Sequence, residues 1–393
     1  MVYPRSDGEC VTVLSIDGAV HGIDPAVLLG FLEGQLKHDF EKEKEGNPND
    51  VRIADYFDVI GGTGTGSLVA AMLTKPSMPL PSLPQYDMSD IMSSLREISR
   101  NTFPDEDEQK IIDRAVNLGV RAFGLFTSTV RTILDPSKKF WTIVDEYWQR
   151  NWEADTYPAE VLDKKLKSKL DNTRLDQTVS DVIVPAYNFD STRPVVFSTS
   201  QARKLYANFN EEVTLRDVVL SSSAIPTVLP LHSFKYSGKF GRFADGSIVA
   251  NNPTLLAVSE GARLYGSRPN YKNYLVLSFG TIWRKAPPSE ILVMPILQYM
   301  YILFGDIMEM YMTQMLPSQL HEGRFNYLRI QELKRIAHEI LKRNATFVDP
   351  NTGAHAKQNF SNEEALKTFA RQLHSERQRR LFNQQENREK VII

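Results

Sequence analysis

The sequence predicts an α/β fold in three layers, with a mainly parallel central sheet, helices on both faces and a helical cap. Three observations predict it. Apolar runs rich in Val and Ile end abruptly in glycine; the first two of these runs are each followed by a segment of helical period; further candidate strands recur at wide spacing with helical stretches between them.

Taken in order, residues 11–16 (VTVLSI) run into Asp17-Gly18, and residues 25–36 follow with a helical period. Residues 41–50 (EKEKEGNPND) form a charged, turn-rich loop. Residues 56–60 then run into Gly61-Gly62, with a helix expected over 68–73. Residues 75–84 contain Pro76, Pro79, Pro81 and Pro84, which block both a helix and a central strand, so an extended connection is expected. Residues 87–170 are helical in pattern and aromatic, with Phe140, Trp141, Tyr147, Trp148 and Trp152, and read as a cap or insertion on the sheet. Further buried strands are expected at 179–187, 194–198 and 274–279. From 362 the chain is polar and charged; residues 361–380 fit one amphipathic helix and the remainder a frayed tail. The expected organisation is therefore a lead at 1–10, one large α/β domain at 11–345 holding the cap at 87–170, and a charged helix and tail at 346–393.

Composition narrows the class. Across 393 residues, 46 Lys+Arg against 48 Asp+Glu leave a net charge of −2, so there is no basic excess with which to bind nucleic acid. A hydrophobic content of 42% is ample for a packed core and excludes disorder as the main state. Cys10 is the single cysteine and cannot form an internal disulfide, which suits a reducing compartment. No basic n-region precedes a signal-length apolar stretch. The longest apolar run, 291–304, is broken by Pro295 and Gln298 and falls short of the roughly 20 residues that span a bilayer. A soluble, cytoplasmic protein is the expectation, with peripheral membrane contact left open.

The chemistry-bearing motif is Gly62-Thr63-Gly64-Thr65-Gly66, which follows a strand and opens a helix. That context matches the G-x-S-x-G nucleophile elbow, whose sharp turn lifts a serine to the top of the sheet while the flanking glycines let strand and helix approach. Here the central residue is Gly64, so the frame is present without its nucleophile. The glycines do not make a phosphate loop, since the Gly-Lys-Ser/Thr ending is missing and the G-x-G-x-x-G spacing is not met. Two other segments share the strand-turn-helix character: residues 13–22 (VLSIDGAVHG) and residues 244–253 (ADGSIVANNP), the latter an Asp-Gly turn with an Asn-Asn-Pro helix entry.

Together with residues 56–66 (YFDVIGGTGTG), these segments resemble the patatin-like lipid acyl hydrolases, and closely the plant branch. Residues 221–233 (SSSAIPTVLPLHS), 326–331 (NYLRIQ) and the EEAL segment near the end are also similar to that branch, so the resemblance runs from about residue 11 to about residue 380. It implies the patatin-like fold and a lipid substrate, and no cofactor is expected. It also implies a serine–aspartate dyad assisted by a glycine-rich oxyanion loop. Carried over by position, the dyad aspartate is Asp245, the serine position is Gly64, and the loop is Gly18, Ala19, Val20, His21 and Gly22. The loop is one residue shorter than the family pattern. Ala19 and Val20 stand where consecutive glycines belong, and β-branched Val20 disfavours positive φ. His21 replaces the usual arginine.

Other nucleophiles are weighed against plainer roles. Ser67 lies almost a helical turn past the elbow, where a serine satisfies free backbone N–H groups; Thr63 and Thr65 flank the tip and are expected to bond their own turn. His21 with Asp245 could perform acid–base chemistry, against the alternative that His21 shields the shortened loop. The scattered histidines and the one cysteine show no metal-ligand spacing. Residues 291–315, rich in Met and Tyr, read either as core helices or as an apolar lip that meets lipid. The reading that follows is an inactive or strongly impaired homologue that binds a lipid-like or apolar ligand in the former acyl pocket. Its rival is a residual or repurposed enzyme using Asp245 and His21.

Overall fold

The computed structural model describes residues 10–18, 23–43, 46–78, 80, 83–102, 159–225, 228–265, 274–280, 326–330, 337–348 and 355–392. Most of the expected cap (103–158) and the Met- and Tyr-rich stretch (291–315) lie outside them.

In chain order the elements begin with β1 (Val11–Ile16), α1 (Ile23–Lys42), β2 (Val59–Gly62), α2 (Thr65–Thr74), α3 (Met88–Thr102) and α4 (Ala159–Leu170). They continue with β3 (Asp181–Asn188), β4 (Arg193–Ser198), α5 (Thr199–Phe209), α6 (Leu215–Ser223), β5 (His232–Tyr236), β6 (Lys239–Ala244), α7 (Ser247–Ala250) and α8 (Thr254–Tyr265). The last are β7 (Tyr274–Phe279), β8 (Asn326–Ile330), α9 (Ala337–Lys342), β9 (Asn344–Val348), β10 (His355–Ser361) and α10 (Asn362–Ile392).

Among the described residues one 8-stranded sheet has the order β5-β6-β3-β2-β1-β7-β8, with β4 on the free side of β3. The run β3-β2-β1-β7-β8 is parallel, and β4, β5 and β6 join antiparallel at one end. The three-layer, mainly parallel architecture is thus present. Its physical basis is the strand composition, since all six residues of β1 and of β7 are buried, as a sheet covered on both faces requires. Alternation then sorts the side chains. Leu14, Ile16, Ile60, Leu275, Leu277 and Phe279 pack with α1 and α2 on one face, whereas Val11, Val13, Val59 and Val276 pack with Ala257 and Val258 of α8 on the other. In α1 the buried residues Leu28, Leu29, Leu32 and Leu36 form one stripe, each contributing roughly 1.5–3 kcal/mol on burial.

Three expectations change. The run at 56–60 is not one strand: Ile53–Tyr56 is a 3-10 turn, with the Arg52 N–H donating to Asp55 Oδ2, and β2 begins only at Val59. The frayed tail is instead helical, because α10 continues to Ile392. The proline-rich connection folds back on itself, with Pro76 bridged to Pro84 and the Ser77 N–H donating to Leu83 O at 2.7 Å.

The helix α10 packs against α1 and is pinned to the start of β1. Arg380 donates to Cys10 O at 2.9 Å and to Asp58 Oδ2 at 3.2 Å, and Glu376 Oε1 accepts from the Cys10 N–H at 3.0 Å. Asp58 Oδ2 also accepts from Thr12 N and Thr12 Oγ1, both at 2.7 Å. These bonds close the sheet at the ends of its strands opposite Asp17-Gly18. An open groove of about 580 Å³ beside Cys10, Leu275 and Arg371 lies at that same far end.

Candidate functional site

The site is assembled where β1, β2 and β6 end. β2 leads into Thr63 and Gly64, and Gly64 adopts φ +53° and ψ −124°, a conformation close to forbidden for any residue with a side chain. The chain then turns straight into α2, with the Gly66 N–H donating to Thr63 O at 2.8 Å. Close approach explains the flanking glycines: a Cβ on Gly62 would lie 2.3 Å from Gly66 O, and one on Gly66 would lie 2.3 Å from Ile16 O. Gly64 differs, because a Cβ there would meet nothing nearer than Gly18 Cα at 3.4 Å. Space for a side chain exists at the tip, and backbone geometry is what favours glycine.

The tip faces two of the residues expected at the site. Beyond Gly18, the next neighbours of a Cβ on Gly64 are Ser222 O at 3.9 Å and Asp245 Oδ1 at 4.0 Å. Asp245 follows β6 directly and is 1% exposed; its N–H donates to Ala224 O at 3.0 Å and its Oδ1 accepts from the Ser247 N–H at 3.0 Å. Gly18 follows Asp17, which is also 1% exposed and donates its N–H to Phe279 O. Gly18, Gly64 and Asp245 therefore converge from three separate segments. Ala19, Val20, His21 and Gly22 lie outside the described residues.

The remaining elbow residues take structural positions. The Thr63 hydroxyl donates to Ala250 O at 2.9 Å, crossing to α7 rather than bonding its own turn. Ser67 is buried, and its hydroxyl donates to Gly64 O instead of accepting the free helix N–H groups expected of it. Thr65 opens α2.

Sequence reasoning missed Ser222, at the end of α6. Its Oγ accepts the Gly64 N–H at 3.1 Å and donates to Pro185 O at 2.8 Å, while its carbonyl accepts the Gly246 N–H at 3.2 Å. One residue thus ties the elbow, β3 and the Asp-Gly turn together. The serine run at 221–223 is the only trace of this in the sequence, and it does not say which hydroxyl turns inward.

Comparison with known proteins follows the same lines. The family model described as patatin-like phospholipase matches residues 18–258, more than half of the chain and a span that includes Gly18, Gly64 and Asp245. "Patatin-like protein 2" of Arabidopsis thaliana is 33% identical over 72% of this chain and 63% of its own length. The chain thus spans less than two thirds of that relative. "Probable inactive patatin-3-Kuras 1" of Solanum tuberosum is 30% identical over 83% of this chain and 79% of its own. "Patatin-17" of Solanum cardiophyllum is 28% identical over 93% and 90%. Among the described residues, no helix is long and apolar enough to cross a membrane.

Proposed function

The chain belongs to the patatin-like phospholipase family, a family of lipid acyl hydrolases, and we propose that it keeps the lipid-handling scaffold but lacks the ester-cleaving nucleophile, binding a lipid or other apolar ligand around Gly64 and Asp245. The observation that carries this reading is the state of the elbow. Gly64 has the sharp backbone of a nucleophile position, and Asp245 Oδ1 stands 4.0 Å from where a side chain would begin, yet no hydroxyl is there to be acylated. Loss of a nucleophile typically leaves only the roughly 10³ to 10⁴-fold rate that binding and the oxyanion site supply. The name of the 30% identical Solanum tuberosum relative, "Probable inactive patatin-3-Kuras 1", supports the same reading.

The retention of Asp245, buried beside the elbow, supports a second reading: slow hydrolysis by water activated at Asp245, with His21 as a further acid–base candidate. An assay on p-nitrophenyl butyrate, phosphatidylcholine and galactolipid, with the wild type beside Asp245→Ala, separates the two. The first reading expects turnover no higher than the buffer blank in both proteins. Turnover in the wild type that disappears in Asp245→Ala overturns it in favour of the second.

A further inference from the structure

The connection from α2 to α3 gathers exposed apolar side chains on one short loop: Met78, Leu80 and Leu83 are 80%, 58% and 45% exposed. No other stretch of the described residues brings three such side chains so close together in the chain. Single surface hydrophobics need no explanation, whereas a cluster on one loop does.

The loop has few polar groups to strip of water. Residues 76–84 (PSMPLPSLP) carry no charge, and Pro76, Pro79, Pro81 and Pro84 have no backbone N–H. Of the other donors, the Ser77 N–H is given to Leu83 O at 2.7 Å and the Leu83 N–H to Leu80 O at 3.0 Å. Donors that are absent or already paired lower the cost of entering a medium without water. The base of the loop is fixed. The Gln85 N–H donates to Lys75 O at 2.8 Å, while Lys75 Nζ and the Tyr86 hydroxyl both donate to Lys169 O, at 2.9 and 2.8 Å. The loop therefore stands on the C-terminal end of α4.

That helix, AEVLDKKLKSKL, supplies positive charge beside the apolar tip. Lys165 and Lys169 are salt-bridged to Glu97, but Lys164 and Lys167, three residues apart and so on one face, are exposed with no acidic partner among the described residues. Of the acids at the base, Asp171 pairs with Lys75 at 2.7 Å, Asp87 accepts the Asp90 N–H, and Asp90 stands in the first turn of α3. The tip alone would suit an apolar groove of another protein equally well; the unpaired lysines next to it favour the headgroups of an anionic bilayer.

We infer that Met78, Leu80 and Leu83 dock the protein on an anionic membrane, with Lys164 and Lys167 meeting the lipid headgroups. This surface is separate from the elbow. α2 runs from Gly64 to the loop, and Thr74 O accepts the Val179 N–H just before β3, so the loop lies at the end of the sheet away from Gly64. The inference holds whatever the elbow binds.

The test is co-sedimentation of the full chain with vesicles of phosphatidylcholine, and of an equimolar mixture of phosphatidylcholine and phosphatidylserine. The wild type is expected to bind the mixed vesicles about tenfold more tightly than phosphatidylcholine alone. Met78→Ser/Leu80→Ser lowers binding to the mixed vesicles by at least about tenfold, and Lys164→Gln/Lys167→Gln removes the preference for them. Phe240→Ser, which removes an 81% exposed side chain on a different hairpin, binds as the wild type does. Melting curves show that the variants fold. Absence of binding to the mixed vesicles, or binding that survives intact in Met78→Ser/Leu80→Ser, overturns the inference. So does a wild-type dimer in analytical ultracentrifugation that Met78→Ser/Leu80→Ser dissociates while neither protein binds vesicles, which assigns the tip to a second copy of the chain.

Discussion

Ser222 Oγ accepts the backbone N–H of Gly64 at 3.1 Å and donates its own O–H to Pro185 O at 2.8 Å, so one hydroxyl links the tip of the elbow to β3. Ser222 is fully buried, out of reach of bulk solvent. Ser222→Ala leaves both a donor and an acceptor buried and unpaired. We expect a loss of about 1–3 kcal/mol in denaturant unfolding, and no comparable loss for an exposed serine such as Ser93.

Gly64 has φ +53° and ψ −124°, while a Cβ there would clash with nothing. Gly64→Ser should therefore fold but lose roughly 1–3 kcal/mol to backbone strain, measured by chemical denaturation. The added hydroxyl would face Asp245; because the segment 18–22 is one residue shorter than the family pattern, with Ala19 and Val20 in glycine positions, we expect the oxyanion to find no support. Ester hydrolysis by this variant is expected to stay close to the blank; rapid p-nitrophenyl butyrate turnover would show that the loop still works.

Arg380 joins α10 to β1 through Cys10 O and Asp58, and the Arg380 and Asp58 side chains are only 16% and 11% exposed. Removing one partner of such a pair strands the other's charge. Arg380→Ala is expected to cost on the order of 2–4 kcal/mol in urea unfolding, with little recovery at high salt, because a shielded pair is screened weakly.

Burial pushes the Asp55 carboxyl up to about 6 from 3.8, against the opposing pull of Arg377 and Arg52. For an acid whose pKa is higher folded than unfolded, the folded state holds the extra proton between those values, so stability falls as pH rises from about 4 to about 6 and is level above. Asp55→Asn should match the wild type near pH 4 and exceed it at pH 7 by roughly 2 kcal/mol. Unfolding curves at the two pH values check this, and an unchanged gap would count against a raised Asp55.

Much of the sheet was legible because strands covered on both faces carry continuous apolar runs: Val11–Ile16 and Tyr274–Phe279 lie where the sequence places them, and the strand expected at 194–198 is found as Arg193–Ser198. The start of β2 was not, since Ile53, Ala54 and Tyr56 are as buried in a 3-10 turn as they would be in a strand, and apolar character alone does not separate the two. The hairpin of β5 and β6 escaped notice for the opposite reason. It joins the antiparallel end of the sheet, the exposed Ser233 and Lys235 alternate with the buried Phe234, and Phe240 opposite Lys235 is 81% exposed, so no apolar run marks it.

The sequence by itself determined where the strands covered on both faces lie and what chemistry residue 64 is denied, because continuous apolar runs, glycine spacing and the absence of a side chain are properties of short segments. Tertiary structure alone decided that Ser222, not its neighbours, holds the elbow, and that Asn251 rather than Asn252 is left, among the described residues, with an unanswered oxygen beside Gly18. Those outcomes depend on how β1, β2, β6 and α6 meet. Adjacent residues of identical type are distinguished only by the direction each side chain takes once segments far apart in the chain are brought within hydrogen-bonding distance.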